Sequence, residues 1–220
     1  MSLSQLVPMM WEGIKETLYM TFASTVLAYC IGIPLGVILI VTAKDGIRPC
    51  KPVYEVLGFF VNIFRSIPFI ILLFLMIPVT QKLVGTIIGS IAIIPPLTAS
   101  AAPYVARMVE SSLKEVDGGV IEAAKSMGAS TWQIIYKVLL PEARPSLLIG
   151  AAIVMTTILG YTAMAGMVGG GGLGAIAANY GYYRYQLSIM LIATGILVVI
   201  VQIIQEVWMH WARTADKRIR

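Results

Sequence analysis

The sequence has little charge. Asp, Glu, Lys and Arg together make up only 12% of its 220 residues, whereas hydrophobic residues make up 58%. Soluble globular domains usually carry about 25% charged residues. The mean hydropathy of +0.86 agrees with this shortage. The composition therefore excludes an ordinary soluble domain and predicts a protein that lies in a lipid bilayer.

Reactive side chains are scarce as well. The sequence has one histidine, His210, and two cysteines, Cys30 and Cys50. His210 stands between Trp208 and Trp211, which is typical of an aromatic belt at a membrane surface. The sequence contains no cluster of His, Cys and carboxylates to suggest a metal site, and no Gly-x4-Gly-Lys-Ser/Thr run to hold ATP phosphates. We therefore predict that the chain is not an enzyme and itself binds no metal or cofactor.

Five apolar segments are long enough to cross a bilayer, which takes about 20 mostly apolar residues. They predict an all-α, polytopic membrane protein with a single transmembrane domain over residues 1–220. Prolines inside these segments are expected to kink the helices without ending them, because neighbouring helices can satisfy the freed carbonyl groups. These prolines are Pro34, Pro68, Pro95, Pro96 and Pro103. The predicted spans are about 19–41, 56–79, 83–106, 146–168 and 186–208.

Basic residues between the spans set the predicted orientation. Of the 16 Lys and Arg residues, twelve fall in one set of connections, whereas Lys15, Lys82 and Arg184 fall in the other. Basic residues are enriched on the cytoplasmic side of membrane proteins. The N-terminus is therefore expected outside the cell and the C-terminus in the cytoplasm. The basic residues are scattered and are not interleaved with an aromatic surface, which argues against a nucleic-acid partner.

Arg65 is the one basic residue inside a predicted span. Every Asp and Glu falls in a connection or near the end of a span, so the sequence lacks the relay of ionisable groups that proton-driven transporters use. Arg65 itself stays protonated at any relevant pH. Two readings remain for Arg65. It could face the pathway, where it attracts a substrate carboxylate or pairs across a dimer, or it could bond carbonyls freed by Pro68 or reach to the interface.

The connection before the fourth span is long and patterned. Asp117 is expected to cap a helix through GGVIEAAKSM, and Gly128 is expected to end it. Ser130 and Gln133 have the spacing of a capping box for a second helix, which Pro141 is expected to close. The sequence therefore predicts two short helices that meet at Gly128.

Two interpretations fit this connection, which covers about residues 110–145 and lies on the cytoplasmic side. In one, the first helix docks into a groove of a partner protein through Ala123, Ala124 and Met127. The second helix would then be anchored to the membrane helices through Trp132, Ile135 and Leu139. In the other interpretation, the whole connection is an amphipathic elbow that lies on the membrane surface.

A glycine-rich stretch, GMVGGGGLGAIA, follows the fourth span. It has the Gly-x-Gly-x-x-Gly spacing of a dinucleotide-binding turn, but such a turn needs an acidic residue about twenty positions on, where this chain has Thr194. A nucleotide site is therefore rejected. The stretch is either a flexible hairpin outside the membrane or a structured turn that lets another backbone approach closely. Its glycines are Gly169, Gly170, Gly171, Gly172 and Gly174.

The segment EAAKSMGASTWQIIYKVLLP resembles the EAA loop of the permease subunits of ABC importers. That loop has the pattern Glu-Ala-Ala, three residues, Gly, nine residues and Ile-x-Leu-Pro, and Val138 here replaces the Ile. Four further segments, NIFRSIPFIILL, PLTASAAPYVARMVE, LPEARPSLL and GYTAMAGMVGGGGLG, are similar to the methionine-import permeases, a five-helix branch of the family. The resemblance covers nearly the whole chain. The matching loop positions are Glu122, Ala123, Ala124, Gly128, Leu140 and Pro141.

The resemblance implies a fold, a location and a set of partners. The fold would be that of type I ABC-importer permeases, in a bacterial inner membrane and in contact with its lipids. The permease would form a homodimer with the pathway at its two-fold interface. Two cytoplasmic ATPase subunits would bind to it and would hold the ATP and Mg²⁺. An outer substrate-binding protein, often a lipoprotein, would deliver the cargo.

The resemblance also implies roles for particular residues and a cargo. Met164, Met167 and Arg65 become candidates for the gate or the pathway, and the glycine stretch becomes a structured outer gate region. The expected cargo is L-methionine, together with its D-isomer. The alternatives are an importer of osmoprotectants or of another amino acid and, from a different class, a self-contained channel or structural membrane protein. Coupling to the ATPase falls to Glu122, Ala123, Ala124, Met127, Gly128, Leu140 and Pro141.

Overall fold

The computed structural model describes residues 3–215, and over this range the chain forms helices and no strands. The predicted all-α class is therefore confirmed. Lys217, Arg218 and Arg220, which contribute to the predicted orientation, lie outside the described residues. The four long helices are α1 (Leu3–Thr42), α5 (Ser90–Lys114), α9 (Arg144–Gly166) and α11 (Leu187–Ala215). The shorter helices are α2 (Lys51–Ser66), α3 (Phe69–Leu75), α4 (Ile77–Val84), α6 (Gly118–Ser126), α7 (Thr131–Ile134), α8 (Leu140–Glu142) and α10 (Gly172–Ile176).

Helix α1 is much longer than the apolar run that predicts it. It has 40 residues, which makes it about 60 Å long, roughly twice the thickness of the bilayer core. Glu12 and Glu16, which precede the predicted first span, lie inside this helix and not in an irregular connection. The extra turns are held by apolar packing, because Met10 and its neighbours pack against buried residues of α10 and α11.

The second predicted span is broken, not kinked. Helix α2 ends at Ser66, Ile67 has an extended backbone, and Pro68 precedes α3. The axes of α2 and α3 are bent by 103°. The prediction of a continuous helix through Pro68 is therefore wrong, because a proline pushes the residue before it out of the helical region of φ and ψ. By contrast, the structure keeps the other prolines of the predicted spans inside helices: Pro34, Pro95, Pro96 and Pro103.

Helix α5 is the centre of the bundle. It packs against α1, α2, α3 and α9, and Leu97, Val105 and Val109 are fully buried. Since neighbouring helices cover α5, it can carry three prolines and several hydroxyl side chains where a lipid-facing helix would need apolar ones. It begins at Ser90 and not near residue 83, because Gly85 and Gly89 adopt positive φ values and separate it from α4.

Three described helices are long and apolar enough to cross a membrane: α1, α9 and α11. Helices α2 and α3, taken together as one bent segment, are also long and apolar enough to cross a membrane. The chain is therefore a polytopic membrane protein. Helix α5 is long enough to cross a membrane, but it is less apolar than these helices. This agrees with its position among α1, α2, α3 and α9, which shield it from the surroundings.

Candidate functional site

The segment between α5 and α9, residues 117–143, has the local structure that its sequence predicts. The Asp117 carboxylate accepts a hydrogen bond from the Gly119 N–H at 2.6 Å and caps α6. Gly128 follows α6 with φ of +79°, a conformation that favours glycine at helix ends. The capping box at the start of α7 is complete: the Ser130 N–H donates to Gln133 Oε1 at 2.8 Å, and the Gln133 N–H donates to Ser130 Oγ at 3.3 Å.

Pro141 does not close the second helix, contrary to the prediction. The chain stays helical from α7 through a π-helical turn at Ile135–Leu139 and into α8. Pro141 is the second residue of α8, directly after the π turn, and has no backbone N–H to donate within the helical stretch. The wider π turn accommodates the change, because its hydrogen bonds reach one residue further back than those of an α-helix. Segment 117–143 is therefore more continuous than two helices with a stop.

The two faces of this segment differ from the predicted ones at two positions. Ala124 is only 5% exposed and packs in the core of the chain itself, so its predicted place on a docking face is wrong. Trp132 is 71% exposed, so its predicted role as a membrane-helix anchor is wrong. Ile135 and Leu139 are buried as expected. Both residues lie in short helices, where the capping pattern predicts the ends of a helix but not which face turns toward the core.

The remaining candidate residues of this segment lie at or near its surface. Met127 is 81% exposed, and Glu122, Ala123, Gly128 and Pro141 are exposed as well. Leu140 is half-buried against the core. The outer face of the segment therefore presents large apolar side chains to the surroundings, a feature that marks interaction surfaces. We call this set the 120–136 surface, and it consists of Val120, Met127, Trp132 and Tyr136.

A line of cavities follows α5 and α9 on another side of the chain. One cavity of about 430 Å³ is lined by Arg65, Tyr104, Arg107, Ser111 and Ser146, among others. A second, of about 260 Å³, again has Arg65 and Tyr104 in its wall. A third, of about 360 Å³, continues past Ser146. We call this line the α5–α9 groove, and it brings hydroxyl and guanidinium groups to the surface of an otherwise apolar bundle.

Arg65 lies in the last turn of α2, directly before the break at Pro68. Its guanidinium carbon is 5.8 Å from the centroid of the Tyr104 ring, within the distance of a cation–π contact. Within residues 3–215, no carboxylate lies within ion-pairing distance of it. The side chain lines two cavities of the α5–α9 groove, and its role in a pathway stays a prediction.

A polar network joins α2 to α5 beside this groove. Arg107 and Glu110 form an ion pair at 2.6 Å, and their side chains are only 20% and 13% exposed. Arg107 also donates to the Gly58 carbonyl at 3.2 Å and to Asn62 Oδ1 at 3.0 Å, while the Tyr54 hydroxyl donates to Glu110 Oε1 at 3.1 Å. Sequence reasoning missed this network. The three-residue spacing of Arg and Glu could have predicted the ion pair, but not its partners on α2.

The glycine stretch is an anchored turn. The Gly172 N–H donates to Glu16 Oε2 at 2.6 Å, and the Leu173 N–H donates to Thr17 Oγ1 at 2.9 Å. At the other end, the Gly89 N–H donates to the Gly169 carbonyl at 2.8 Å. The structure therefore favours the structured turn over the flexible hairpin. Of the other three glycines, Gly170 is buried and Gly171 half-buried in the same turn, and Gly174 is buried in α10.

Met164 and Met167 lie where α9 runs into this turn. Their side chains are 50% and 56% exposed, so within the described chain each presents a flexible apolar group to its surroundings. Thioether side chains adapt easily to irregular surfaces. The place of both residues beside the turn is compatible with a gate, and the gate itself stays a prediction.

Comparison with known protein families places most of the chain in one family. Residues 32–213 match the family model described as binding-protein-dependent transport system inner membrane component. The chain is 50% identical over 203 residues to the probable D-methionine transport system permease protein MetI of Vibrio cholerae. That alignment covers 92% of this chain and 90% of the relative. It is 46% identical over 209 residues to the methionine import system permease protein MetP of Bacillus subtilis, with 95% and 94% covered.

Solved structures show the same similarity in three dimensions. The fold matches a chain of the structure titled inward facing conformations of the MetNI methionine ABC transporter, native crystal form, with a TM-score of 0.96 and 46% identity. The match covers 99% of this chain and all of the other. The fold alone is also shared with a chain of an amino acid ABC transporter crystallised with histidines, at a TM-score of 0.78 and 21% identity.

Proposed function

The chain belongs to the family of binding-protein-dependent transport system inner membrane components, and from this membership we propose that it is the membrane-spanning subunit of an ATP-driven methionine importer. Relatives named for methionine or D-methionine transport align over nearly its whole length. The chain is a permease and not an enzyme. ATP hydrolysis, with its Mg²⁺, belongs to a separate ATPase subunit in the bacterial inner membrane complex.

The observation that carries the coupling part of this proposal is the 120–136 surface. It lies on the connection between α5 and α9 and exposes Met127 and Trp132, while Ala124, Ile134 and Leu139 fix the same segment to the core. A helix with exposed apolar anchors and a rigid base can dock into a groove of a partner and transmit its movement. We assign this docking to Glu122, Ala123, Met127 and Gly128, and a supporting position within the segment to Ala124, Leu140 and Pro141.

We propose five membrane crossings, with the N-terminus outside and the C-terminus in the cytoplasm. The crossings are formed by α1, by α2 with α3 and α4, and by α5, α9 and α11. The excess of Lys and Arg in the connections after the first, third and fifth crossings supports this orientation. Helix α5 counts as a crossing because its neighbours cover its polar and proline positions.

The pathway of this importer is assigned to the α5–α9 groove. The groove is open along one side of the single chain and carries Arg65, Tyr104 and Ser146. A second copy of the chain, related by a two-fold axis, would close it into a passage. Met164 and Met167 would then narrow the outer end of the passage. The complete importer would comprise two copies of this chain, two ATPase subunits and an outer substrate-binding protein.

The proposed mechanism follows from the connection of α9 to the docking segment. When ATP draws the ATPases together, segment 117–143 moves with them, and α9 is moved because it follows α8 after a single residue, Ala143. The bundle would thereby exchange an inward-open packing for an outward-open one. The ATPases supply energy only because they bind differently to the two packings.

Uptake of labelled L-methionine tests the proposed cargo. The measurement compares cells with and without this gene after other methionine carriers have been deleted, with unlabelled D-methionine and glycine betaine as competitors. We expect uptake to be lost on deletion and to be reduced by methionine isomers alone. Unchanged uptake after deletion, or competition by glycine betaine, would contradict the assignment of methionine.

A further inference from the structure

A carboxylate of α1 holds the glycine turn from a distance of 156 residues in sequence. Oε2 of Glu16 lies 2.6 Å from the backbone nitrogen of Gly172 and accepts its N–H. The next residues repeat the contact, since the Thr17 hydroxyl oxygen accepts the Leu173 N–H at 2.9 Å. Thr17 is 1% exposed and Leu173 is fully buried. The turn is therefore fixed to α1 through two consecutive backbone amides.

The turn is shaped to receive these two side chains. Gly171 and Gly172 have φ values of +78° and +75°, which residues with a side chain rarely adopt. A Cβ atom on Gly171 would lie 2.7 Å from Glu16 Oε2, and one on Gly172 would lie 2.7 Å from Thr17 Oγ1. The glycines at these two positions therefore make room for the carboxylate and the hydroxyl. Contact with Glu16 and Thr17 therefore explains why glycine stands at positions 171 and 172, which neither a nucleotide site nor a flexible hairpin would explain.

The charge of Glu16 has no cationic partner within the described part of the chain. No Lys or Arg nitrogen there lies within 4.0 Å of its carboxylate, whereas Glu12, one turn earlier, pairs with Lys15 at 2.6 Å. Hydrogen bonds from a backbone N–H to an ionised carboxylate are stronger than those between neutral groups. Glu16 is half-buried. Its hydrogen bond from the Gly172 N–H is therefore stronger than the same bond in water, and water replaces it less readily.

The contacts of Glu16 and Thr17 with the turn, which we call the clamp, lie beside the residues assigned to the gate. Met164 and Met167 precede the turn on α9, and α10 follows it. The Gly169 carbonyl also accepts from the Gly89 N–H just before α5. Any rearrangement of the outer end of α9 relative to α1 and α5 must therefore strain or break these contacts.

We propose that Glu16 is a positioning residue for transport, whose carboxylate clamps the glycine turn to α1 and holds the outer end of the pathway closed in this conformation. The proposal rests on the proposed importer function. The fold matches a chain whose structure is titled inward facing, a state in which the outer end of a transport pathway is shut. The clamp biases the equilibrium because it stabilises one of the two packings more than the other.

The test uses the full complex reconstituted in proteoliposomes: this chain, its ATPase and its substrate-binding protein. The variants are Glu16→Ala and Glu16→Gln, and the matched control is Glu12→Ala, which removes an exposed carboxylate one turn away on the same helix. The readouts are ATP hydrolysis without the binding protein and its stimulation when the binding protein and methionine are added. Loss of the clamp is expected to raise unstimulated hydrolysis about fivefold for Glu16→Ala and to reduce the stimulation.

Three further outcomes separate a clamp from a merely structural role. Glu16→Gln, which keeps an acceptor oxygen but no charge, is expected to fall between wild type and Glu16→Ala, and Glu12→Ala is expected to match wild type. Thr17→Val removes the second acceptor at nearly constant volume and is expected to change hydrolysis in the same direction. Unaltered unstimulated hydrolysis in Glu16→Ala, or a parallel fall of hydrolysis, transport and the amount of folded complex, would overturn the clamp. Wild-type methionine uptake in the same vesicles tests the importer function separately.

Discussion

At the residue scale, the structure adds polar contacts that join distant parts of an apolar chain. Arg107 is the clearest example, because its guanidinium bonds Glu110 on its own helix and two residues of α2. Its two terminal nitrogens reach three protein acceptors in a side chain that is only 20% exposed, while its Nε is buried without a partner. The network therefore fixes the position of α2 beside the α5–α9 groove.

Replacement of Arg107 tests this contact. Arg107→Ala leaves the shielded Glu110 carboxylate without its cation and breaks two bonds to α2, so we expect the free energy of unfolding to fall by about 1–3 kcal/mol. Thermal unfolding of the purified complex in detergent measures the change. The control is Lys51→Ala, because Lys51 and Glu55 form an exposed pair at 3.6 Å that is worth about 0.5 kcal/mol or less. Equal effects of the two variants would contradict the structural role of Arg107.

Local contacts could be predicted from sequence at this scale, and distant ones could not. The Asp117 cap and the Ser130 capping box involve residues two or three positions apart, so their spacing alone carries the information. Glu16 meets Gly172 only because the bundle folds α1 against α10. In the sequence Glu16 looks like an ordinary charged residue before a membrane span.

At the element scale, the interruptions of the helices differ most from the sequence-based expectation. Pro68 breaks a helix that was predicted to continue, and Pro141 lies inside a helical stretch that was predicted to end. The local rule for proline is the same in both places, and the outcome depends on context. At Pro68 the chain turns by 103°, whereas at Pro141 the π turn before it absorbs the missing hydrogen bond.

Segment 117–143 gives the prediction that belongs to this scale. Met127→Glu places a charge on the exposed 120–136 surface, so we expect the chain to fold in normal amounts and to lose its ATPase, because the change weakens an apolar docking contact. Ala124→Glu places an unpaired charge in the core and is expected to lower the amount of folded chain. Co-purification of the ATPase with the membrane-extracted chain measures both. ATPase binding unchanged by Met127→Glu would contradict the assignment of this surface.

At the scale of the whole molecule, composition and charge were the most informative features. They predicted a membrane protein and its orientation without reference to any contact, because partition into a bilayer depends on summed apolarity and on the placement of basic residues. The central position of α5 could not be predicted in this way. Its sequence shows a span with three prolines and several hydroxyl side chains, but not which neighbouring helices cover them.

The open α5–α9 groove leads to a prediction about assembly. We expect Met164→Cys, in a chain with Cys30 and Cys50 replaced by Ser, to form a disulfide-linked dimer on mild oxidation, because the proposed two-fold closure of the groove would bring the two copies of this position together. The control is Val26→Cys, which is 60% exposed on α1 and is expected to stay monomeric on a denaturing gel. Cross-linking of Val26→Cys alone would place the dimer interface elsewhere.

The most direct test of the central claim is ATP-driven accumulation of labelled methionine in proteoliposomes that contain this chain, its ATPase and its binding protein. The account predicts accumulation that requires ATP and the binding protein and that is lost in Gly128→Asp, since this change puts bulk and charge at a positive-φ position of the docking segment. Methionine entry that is independent of ATP, or that persists unchanged in Gly128→Asp, would contradict the account.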